Sequence, residues 1–276
     1  MKTLIRADSS SYMGIGHIMR DLVLAKRLGG EIAFACLDLE GNIIDQIPYT
    51  VHTLSNNTPK ELIHLIQTQG FERIVFDHYG IDESFEKQIK AQTGVEIIAL
   101  DDTYQGHHCD ILLNHNLYAD PKRYASLVPS KCILWCGKEY TLIRDEFFTE
   151  KKISREKIYD LLIAMGGADV ANQIEEILKT LSDNEEIAIL TTSANSHLNS
   201  LRAYAASHSN IHLLLNSNDV ARIMNQSKKA ILSPSGIVHE AIFMGLPFSA
   251  LQSASNQDDM VEYLKTNGYP IWENRQ

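Results

Sequence analysis

Two Rossmann-like α/β domains facing across a cleft are the architecture this sequence predicts, and three observations predict it. Short apolar runs alternate with amphipathic helical stretches through the first half of the chain. The same alternation restarts after a polar stretch that runs through Arg144-Asp145-Glu146 and on from Glu150 to Lys157. Polar residues follow nearly every apolar run, at the place where open α/β sheets bind their ligands. A length of 276 residues allows two cores, and 44% apolar residues can fill both.

In the first domain, assigned to residues 1–150, Thr3 to Ala7 reads as the opening strand. A helix follows it, with Ile18, Leu22 and Ala25 at helical spacing. Further strands are expected at Glu31 to Cys36, Val51 to Leu54, Arg73 to Asp77, Val95 to Leu100, Asp110 to Asn114 and Cys132 to Cys136. Pro59 to Gln69 and Asp82 to Thr93 are amphipathic and long enough for right-handed crossovers. The second domain, 151–276, starts with a strand from Tyr159 to Met165. Helices are expected at Asn172 to Leu181, His197 to Ser207, Asp219 to Gln226, Val238 to Met244 and Gln257 to Asn267. Between them fall strands at Glu186 to Thr192, Ile211 to Leu215, Ala230 to Ser233 and Pro247 to Leu251. The last helix can cross back onto the first domain.

Composition narrows the function. With 25 basic and 35 acidic residues the net charge is -10, and no basic stripe interleaved with aromatics tracks a phosphate backbone, so nucleic acid is not an expected partner. Apolar runs such as Leu161 to Met165 are too short to span a bilayer. A soluble, cytoplasmic protein is expected, its oligomeric state open and a monomer included. Cys36, Cys109, Cys132 and Cys136 read as reduced thiols beside strands. His107-His108-Cys109 with Cys132 and Cys136 could be imagined as a zinc set, but neither spacing is a CxxC knuckle. No metal and no cofactor are expected.

The most informative stretch is Gly14-Ile15-Gly16-His17, where the first strand hands over to a helix. Gly14 and Gly16 let the backbone turn and approach a ligand, and His17 sits in the first helical turn. Imidazole, with an ordinary pKa of ~6.5, suits proton removal near neutrality, so His17 is the candidate general base, against the plainer role of a capping or packing residue. Asp8 and the serines after it, Asp77-His78-Tyr79, Asp101-Asp102, and Asn114 with Asn116 each follow a strand and should rim one crevice; each could instead be a loop or cap residue. Tyr79 is the candidate for positioning sugar or water. In the second domain Gly166-Gly167-Ala168-Asp169 lies between strand and helix, a place for an anion such as a diphosphate, or a simple connector turn. Ser235-Gly236 opens a helix that carries Glu240, whose carboxylate can accept both hydroxyls of a ribose or be only a partly solvated helix residue. Asn256 and Gln257 are candidates for holding sugar hydroxyls or phosphate oxygens.

Taken together, these residues resemble the UDP-sugar hydrolases of pseudaminic acid biosynthesis, a route to flagellin and surface glycans. The likeness runs over nearly the whole chain. It rests on Arg6 to Ser11, Gly14 to His17 with Arg20-Asp21-Leu22, Asp77-His78-Tyr79-Gly80, His107 to Asn114, Met165-Gly166-Gly167 with Asp169, and Asn256-Gln257. The resemblance implies a GT-B architecture related to the N-acetylglucosaminyltransferase of peptidoglycan synthesis, with water in place of the sugar acceptor. It further implies His17 as base, a small-molecule UDP-sugar as substrate and attack at the anomeric carbon with inversion. Diphosphate is a good leaving group, so no protein acid is required. One departure stands out: related enzymes often carry Gly-Gly-Thr-x-x-Glu where this chain has Ser235-Gly236-Ile237-Val238-His239-Glu240. Ser235 is then the substitute for the missing hydroxyl. The competing readings are an inverting UDP-sugar glycosyltransferase of the same fold and a non-catalytic nucleotide-sugar binding module.

Overall fold

The computed structural model describes residues 1–182 and 184–272. The chain forms two compact units, 1–142 and 143–276. The first unit holds β1 (Lys2–Ala7), α1 (Gly16–Leu28), β2 (Glu31–Leu37), β3 (Thr50–Leu54), α2 (Pro59–Gln69), β4 (Arg73–Asp77), α3 (Glu83–Thr93), β5 (Glu96–Leu100), β6 (Ile111–Asn114) and β7 (Ile133–Cys136). Its seven strands run in the order β3-β2-β1-β4-β5-β6-β7, and every neighbouring pair is parallel. Such a sheet is covered on both faces, which explains why its strands are near-continuous apolar runs. Leu4, Ile74, Ile97 and Leu112 fill the core on one face, and Ile5, Val75, Ile98 and Leu113 the core on the other.

The second unit holds α4 (Asp145–Glu150), β8 (Tyr159–Ala164), α5 (Gln173–Leu178), β9 (Ile187–Thr191), α6 (Leu198–Ser207), β10 (Ile211–Leu215), α7 (Val220–Asn225), β11 (Ser227–Leu232), α8 (Gly236–Met244), β12 (Phe248–Ala250) and α9 (Asp258–Thr266). Its parallel sheet has the order β10-β9-β8-β11-β12. Leu161, Ile163, Ile189 and Ile231 pack one of its faces against Ile174, Ile177 and Leu201. The fold class expected from the sequence is the one found: each unit is a parallel α/β sheet of the Rossmann type.

Several elements are shorter than expected at their ends, among them α5 and β12, and two differences bear on the organisation of the chain. The polar stretch expected to form a linker contains α4, six residues with charged ends around a fully buried Phe147. That helix belongs to the second unit, so the units part between Leu142 and Ile143, ahead of the expected boundary at residue 150. Strand β11 starts three residues earlier than its apolar run, because Lys228 and Lys229 point outward to ion pairs with Asp160 and Glu185.

Both sheets reverse their winding direction once, and the reversal fixes where a ligand can enter. In the first unit it falls between β1 and β4; in the second, between β8 and β11. The crevice beyond the carboxyl ends of those strands is the natural binding position of each half.

Candidate active site

The crevice of the first unit is built from the chain leaving β1 and the chain leaving β4. Gly14 takes φ +82, a left-handed conformation that costs glycine nothing, and closes a tight loop in which its N–H donates to Ser10 O at 2.9 Å. A Cβ at Gly14 or Gly16 would meet nothing within 4 Å, so the entry to α1 lies open to an approaching molecule. The next residue, His17, stands in the first turn of α1, and β4 ends beside it on Asp77 because the two strands are register partners, Ala7 opposite Asp77.

His17 Nδ1 lies 2.7 Å from Asp77 Oδ1. Arg20, one turn further along α1, grips the same carboxylate through Nε at 2.6 Å and Nη2 at 2.5 Å, and reaches Asp102 Oδ2 through Nη1 at 3.1 Å. Burial alone would push the Asp77 carboxyl up, but the Arg20 charge and then His17 hold it far below the usual carboxylate range. Ionised Asp77 can only accept, so the proton of a neutral imidazole is assigned to Nδ1 and the lone pair to Nε2. The carboxylate behind the ring therefore fixes the orientation of the His17 imidazole and leaves Nε2 as its accepting nitrogen.

Tyr79 frames the other side. Its ring packs edge-on to His17 at 5.1 Å between centroids, and its hydroxyl donates to Asp102 at 3.0 and 3.2 Å. Burial, followed by the Asp102 charge, pushes the phenol well above its ordinary value, so it stays a donor. The residue as a whole is 63% exposed, leaving it open to a bound ligand.

Asp8 has a different role from the substrate contact expected of it. Its two oxygens accept from Arg6 Nη1 at 2.6 Å, Arg6 Nη2 at 2.7 Å and the Leu37 N–H at 2.7 Å, with His78 Nε2 at 3.2 Å. These four donors fill its accepting positions, and the side chain is fully buried. Burial raises the Asp8 carboxyl, yet the bonds from His78 and Arg6 outweigh it and keep it ionised. Asp8 ties β1 to β2 beneath the site. Asp101 is likewise structural: it accepts from Thr103 and from the Tyr124 hydroxyl, and Asn114 donates to that hydroxyl at 2.9 Å.

In the second unit, Gly166 (φ +82) and Gly167 follow β8, and a Cβ on Gly167 would meet the Thr192 side chain at 2.9 Å. Gly167 O accepts from the Thr191 and Thr192 hydroxyls at 3.2 and 3.0 Å. Asp169, expected to touch substrate, caps α5 instead: its oxygens accept the N–H groups of Gln173 at 2.9 Å and Ile174 at 3.0 Å. A carboxylate of the chain itself thus occupies the helix start that was expected to attract an anion.

The start of α8 differs. Ser235 is its N-cap and makes no side-chain hydrogen bond to the first turn, and a Cβ at Gly236 would meet nothing within 4 Å. First-turn N–H groups without an internal cap favour an anion. Gln257 joins this loop, donating to Ser233 Oγ at 2.9 Å and accepting from the Ser253 N–H at 2.9 Å, while Asn256 beside it is exposed. Glu240, one turn into α8, is forked by Arg144 through Nε at 2.6 Å and Nη2 at 2.8 Å. Burial lifts its carboxyl and Arg144 opposes the lift. Each oxygen keeps a second accepting position for a hydroxyl.

The sequence alone marks Arg20, Asp77 and Asp102 as motif or rim residues and assigns none of them a step in the chemistry. The spacing of Arg20 three residues after His17 is the available signal, since residues so spaced share one helix face. Among the described residues no three His, Cys, Asp or Glu side chains gather as metal ligands, and no helix is long and apolar enough to cross a membrane.

No family model matches the chain. It is 46% identical over 271 residues to the UDP-2,4-diacetamido-2,4,6-trideoxy-β-L-altropyranose hydrolase of Campylobacter jejuni, covering 98% of both chains. Among solved structures it is similar to MurG of Acinetobacter baumannii, with a TM-score of 0.61 at 11% identity over 99% of this chain and 86% of that one. It is similar also to Os79 of O. sativa in complex with UDP, with a TM-score of 0.62 at 8% identity over 96% and 85%. At such low identity the two structures show the fold, which is that of the GT-B glycosyltransferases. The 46% match shows more: this chain belongs to the family of UDP-2,4-diacetamido-2,4,6-trideoxy-β-L-altropyranose hydrolases.

Proposed function

We propose that the chain hydrolyses UDP-2,4-diacetamido-2,4,6-trideoxy-β-L-altropyranose to UDP and the free sugar, a step of pseudaminic acid biosynthesis. The observation that carries the chemistry is the 2.7 Å contact of His17 Nδ1 with Asp77, which commits the other ring nitrogen to accepting a proton. Water gives that proton to His17 Nε2 and attacks the anomeric carbon from the face opposite the diphosphate, inverting the configuration. The bond from the anomeric carbon to the diphosphate oxygen breaks as the new C–O bond forms, and UDP leaves as an anion. Asp77 and Arg20 fix the imidazole, and the Asp77 carboxylate stabilises it once charged. Tyr79 positions the sugar or the water.

The second unit supplies the nucleotide site. The open first turn of α8 at Ser235-Gly236 carries the diphosphate, with the Gly166-Gly167 turn beside it across the β8–β11 crevice. Glu240, preset by Arg144, accepts the ribose hydroxyls. Gln257 and Asn256 complete the polar rim. The helix dipole and backbone donors stabilise charge developing on the departing phosphate oxygen.

Release of UDP in buffer alone, with ¹⁸O from labelled water appearing in the sugar, is the expected result. Label in the nucleotide would place the attack at phosphorus and overturn the mechanism. The fold likeness to glycosyltransferases also suits a transferase, and UDP release that begins only when a sugar acceptor is added would establish that reading instead.

A further inference from the structure

The first unit carries a second chemically competent cluster at the amino ends of β6 and β7, remote in sequence from the His17 network. Cys109 lies two residues before β6 and Cys132 one residue before β7, and because the strands are parallel neighbours with Ile111 opposite Ile133, the two thiols arrive within one residue step of each other. Their sulfurs lie 3.6 Å apart, 23 residues apart in the chain. All four cysteines of the chain are free thiols.

We infer that Cys109 and Cys132 form an oxidisable thiol pair that closes to an intramolecular disulfide when the protein meets a peroxide. The sulfurs at 3.6 Å have about 1.5 Å to close to a disulfide bond of about 2.05 Å. The two sulfurs are not equivalent. Cys109 is buried, 5% exposed, whereas Cys132 is only partly covered and can be reached by an oxidant. The contact with Cys109, then the Leu112 backbone and the charge of His107, hold the Cys132 thiol below its ordinary value against the effect of burial. The thiolate is the reactive form. Burial pushes Cys36 up to about 12 and Cys136 up to about 11, and the contact with Cys132 followed by burial pushes Cys109 higher still, so Cys132 is the thiol that meets the oxidant first.

The Cys132 thiolate attacks one oxygen of the peroxide, the O–O bond breaks, and Cys132 becomes a sulfenic acid while the other oxygen takes up a proton and leaves as water or alcohol. Cys109 Sγ then attacks the Cys132 sulfur, its proton and the sulfenic hydroxyl leave as a second water, and the S–S bond forms. Two thiols and one peroxide are consumed. The product ties edge strand β7 to β6 and closes the intervening loop, which restricts the unfolded chain and raises the thermal midpoint.

The test is native oxidation of the full chain with hydrogen peroxide, followed by peptide mapping without reduction. The expected product is a cross-linked pair of peptides carrying Cys109 and Cys132, reversed by a dithiol, with a rise in thermal midpoint that Cys132→Ser abolishes. In Cys109→Ser, which keeps a hydroxyl donor beside Cys132 but cannot form the disulfide, the reaction should halt at a Cys132 sulfenic acid that dimedone captures. Pairing through Cys36 or Cys136, or oxidation of Cys132 to sulfinic acid in the native chain with no cross-link, would overturn the inference.

Discussion

The two units carry similar sheets, and the crevices at their switch points are furnished in opposite ways. Around β1 and β4 the rim is dense in fixed charge: Arg6 with Asp8, and Asp77 held by Arg20 and His17. Around β8 and β11 it is mostly backbone: two glycines, two threonine hydroxyls turned onto Gly167 O, a helix start with no internal cap, and a single charged fork between Arg144 and Glu240. The difference teaches what each half must do. It fits the division of labour proposed above: a base has to be aimed before the substrate arrives, so its partners are in place and satisfied, whereas a site for a nucleotide has to keep its donors available.

The comparison breaks first at His17. His17→Asn should lower kcat on the order of 10⁴-fold while UDP, measured by calorimetry, binds as before. Loss of UDP binding in that variant would mean that the first unit holds the nucleotide too. Next in size is the scaffold beneath the base. Asp8→Ala leaves the Arg6 guanidinium buried without its carboxylate and should cost about 3–5 kcal/mol in denaturant unfolding; a cost below about 1 kcal/mol, the range of an exposed pair, would refute the structural role of the Arg6–Asp8 pair.

A pH effect on stability sharpens the contrast further. Burial pushes His107 down, but Asp101 and Glu86 outweigh it and raise it to about 9, with Glu86 Oε1 at 2.7 Å from Nδ1 and Asp101 Oδ1 at 4.0 Å from Nε2. The unfolded imidazole gives up its proton near ~6.5. The stabilisation is therefore complete below ~6.5 and is lost as pH rises through about 9, with a total on the order of 3 kcal/mol. Unfolding titrations of the wild type and His107→Gln should converge across that window, and parallel curves would refute the assignment. Smallest is the nucleotide side: Glu240→Gln should raise KM and weaken UDP binding about tenfold with kcat within about twofold, because it removes binding shared by ground and transition states. An unchanged KM would show that the Arg144–Glu240 fork is structural only.

Much of the fold is legible in the residues themselves. Pro59–Gln69, Arg73–Asp77 and Ile211–Leu215 match their expected bounds to the residue. The reason is physical: strands buried on both faces must be apolar throughout, and helices that cover them keep one apolar stripe. What escapes is the short and the charged, such as α4, whose burial rests mainly on Phe147, and the lysines that open β11. At the candidate site, glycine context and position after a strand single out His17 and Tyr79 in the sequence, and the structure places their rings in contact. Their union with Asp77, Arg20 and Asp102 does not, because it depends on β1 lying beside β4 with Ala7 opposite Asp77, a pairing between segments far apart in the chain. Asp8 and Asp169 mislead for a related reason: a carboxylate after a strand looks alike whether its acceptors face a ligand or the chain's own donors.

The claim on which the account turns is that His17 and Asp77 act as one unit. Steady-state kcat for His17→Asn, Asp77→Asn and the double variant tests it most directly. If Asp77 works only by aligning the imidazole, Asp77→Asn alone should cost about 10³-fold, and the double variant should be no slower than His17→Asn. Losses that multiply, with the double variant slower by the product of the two, would contradict it.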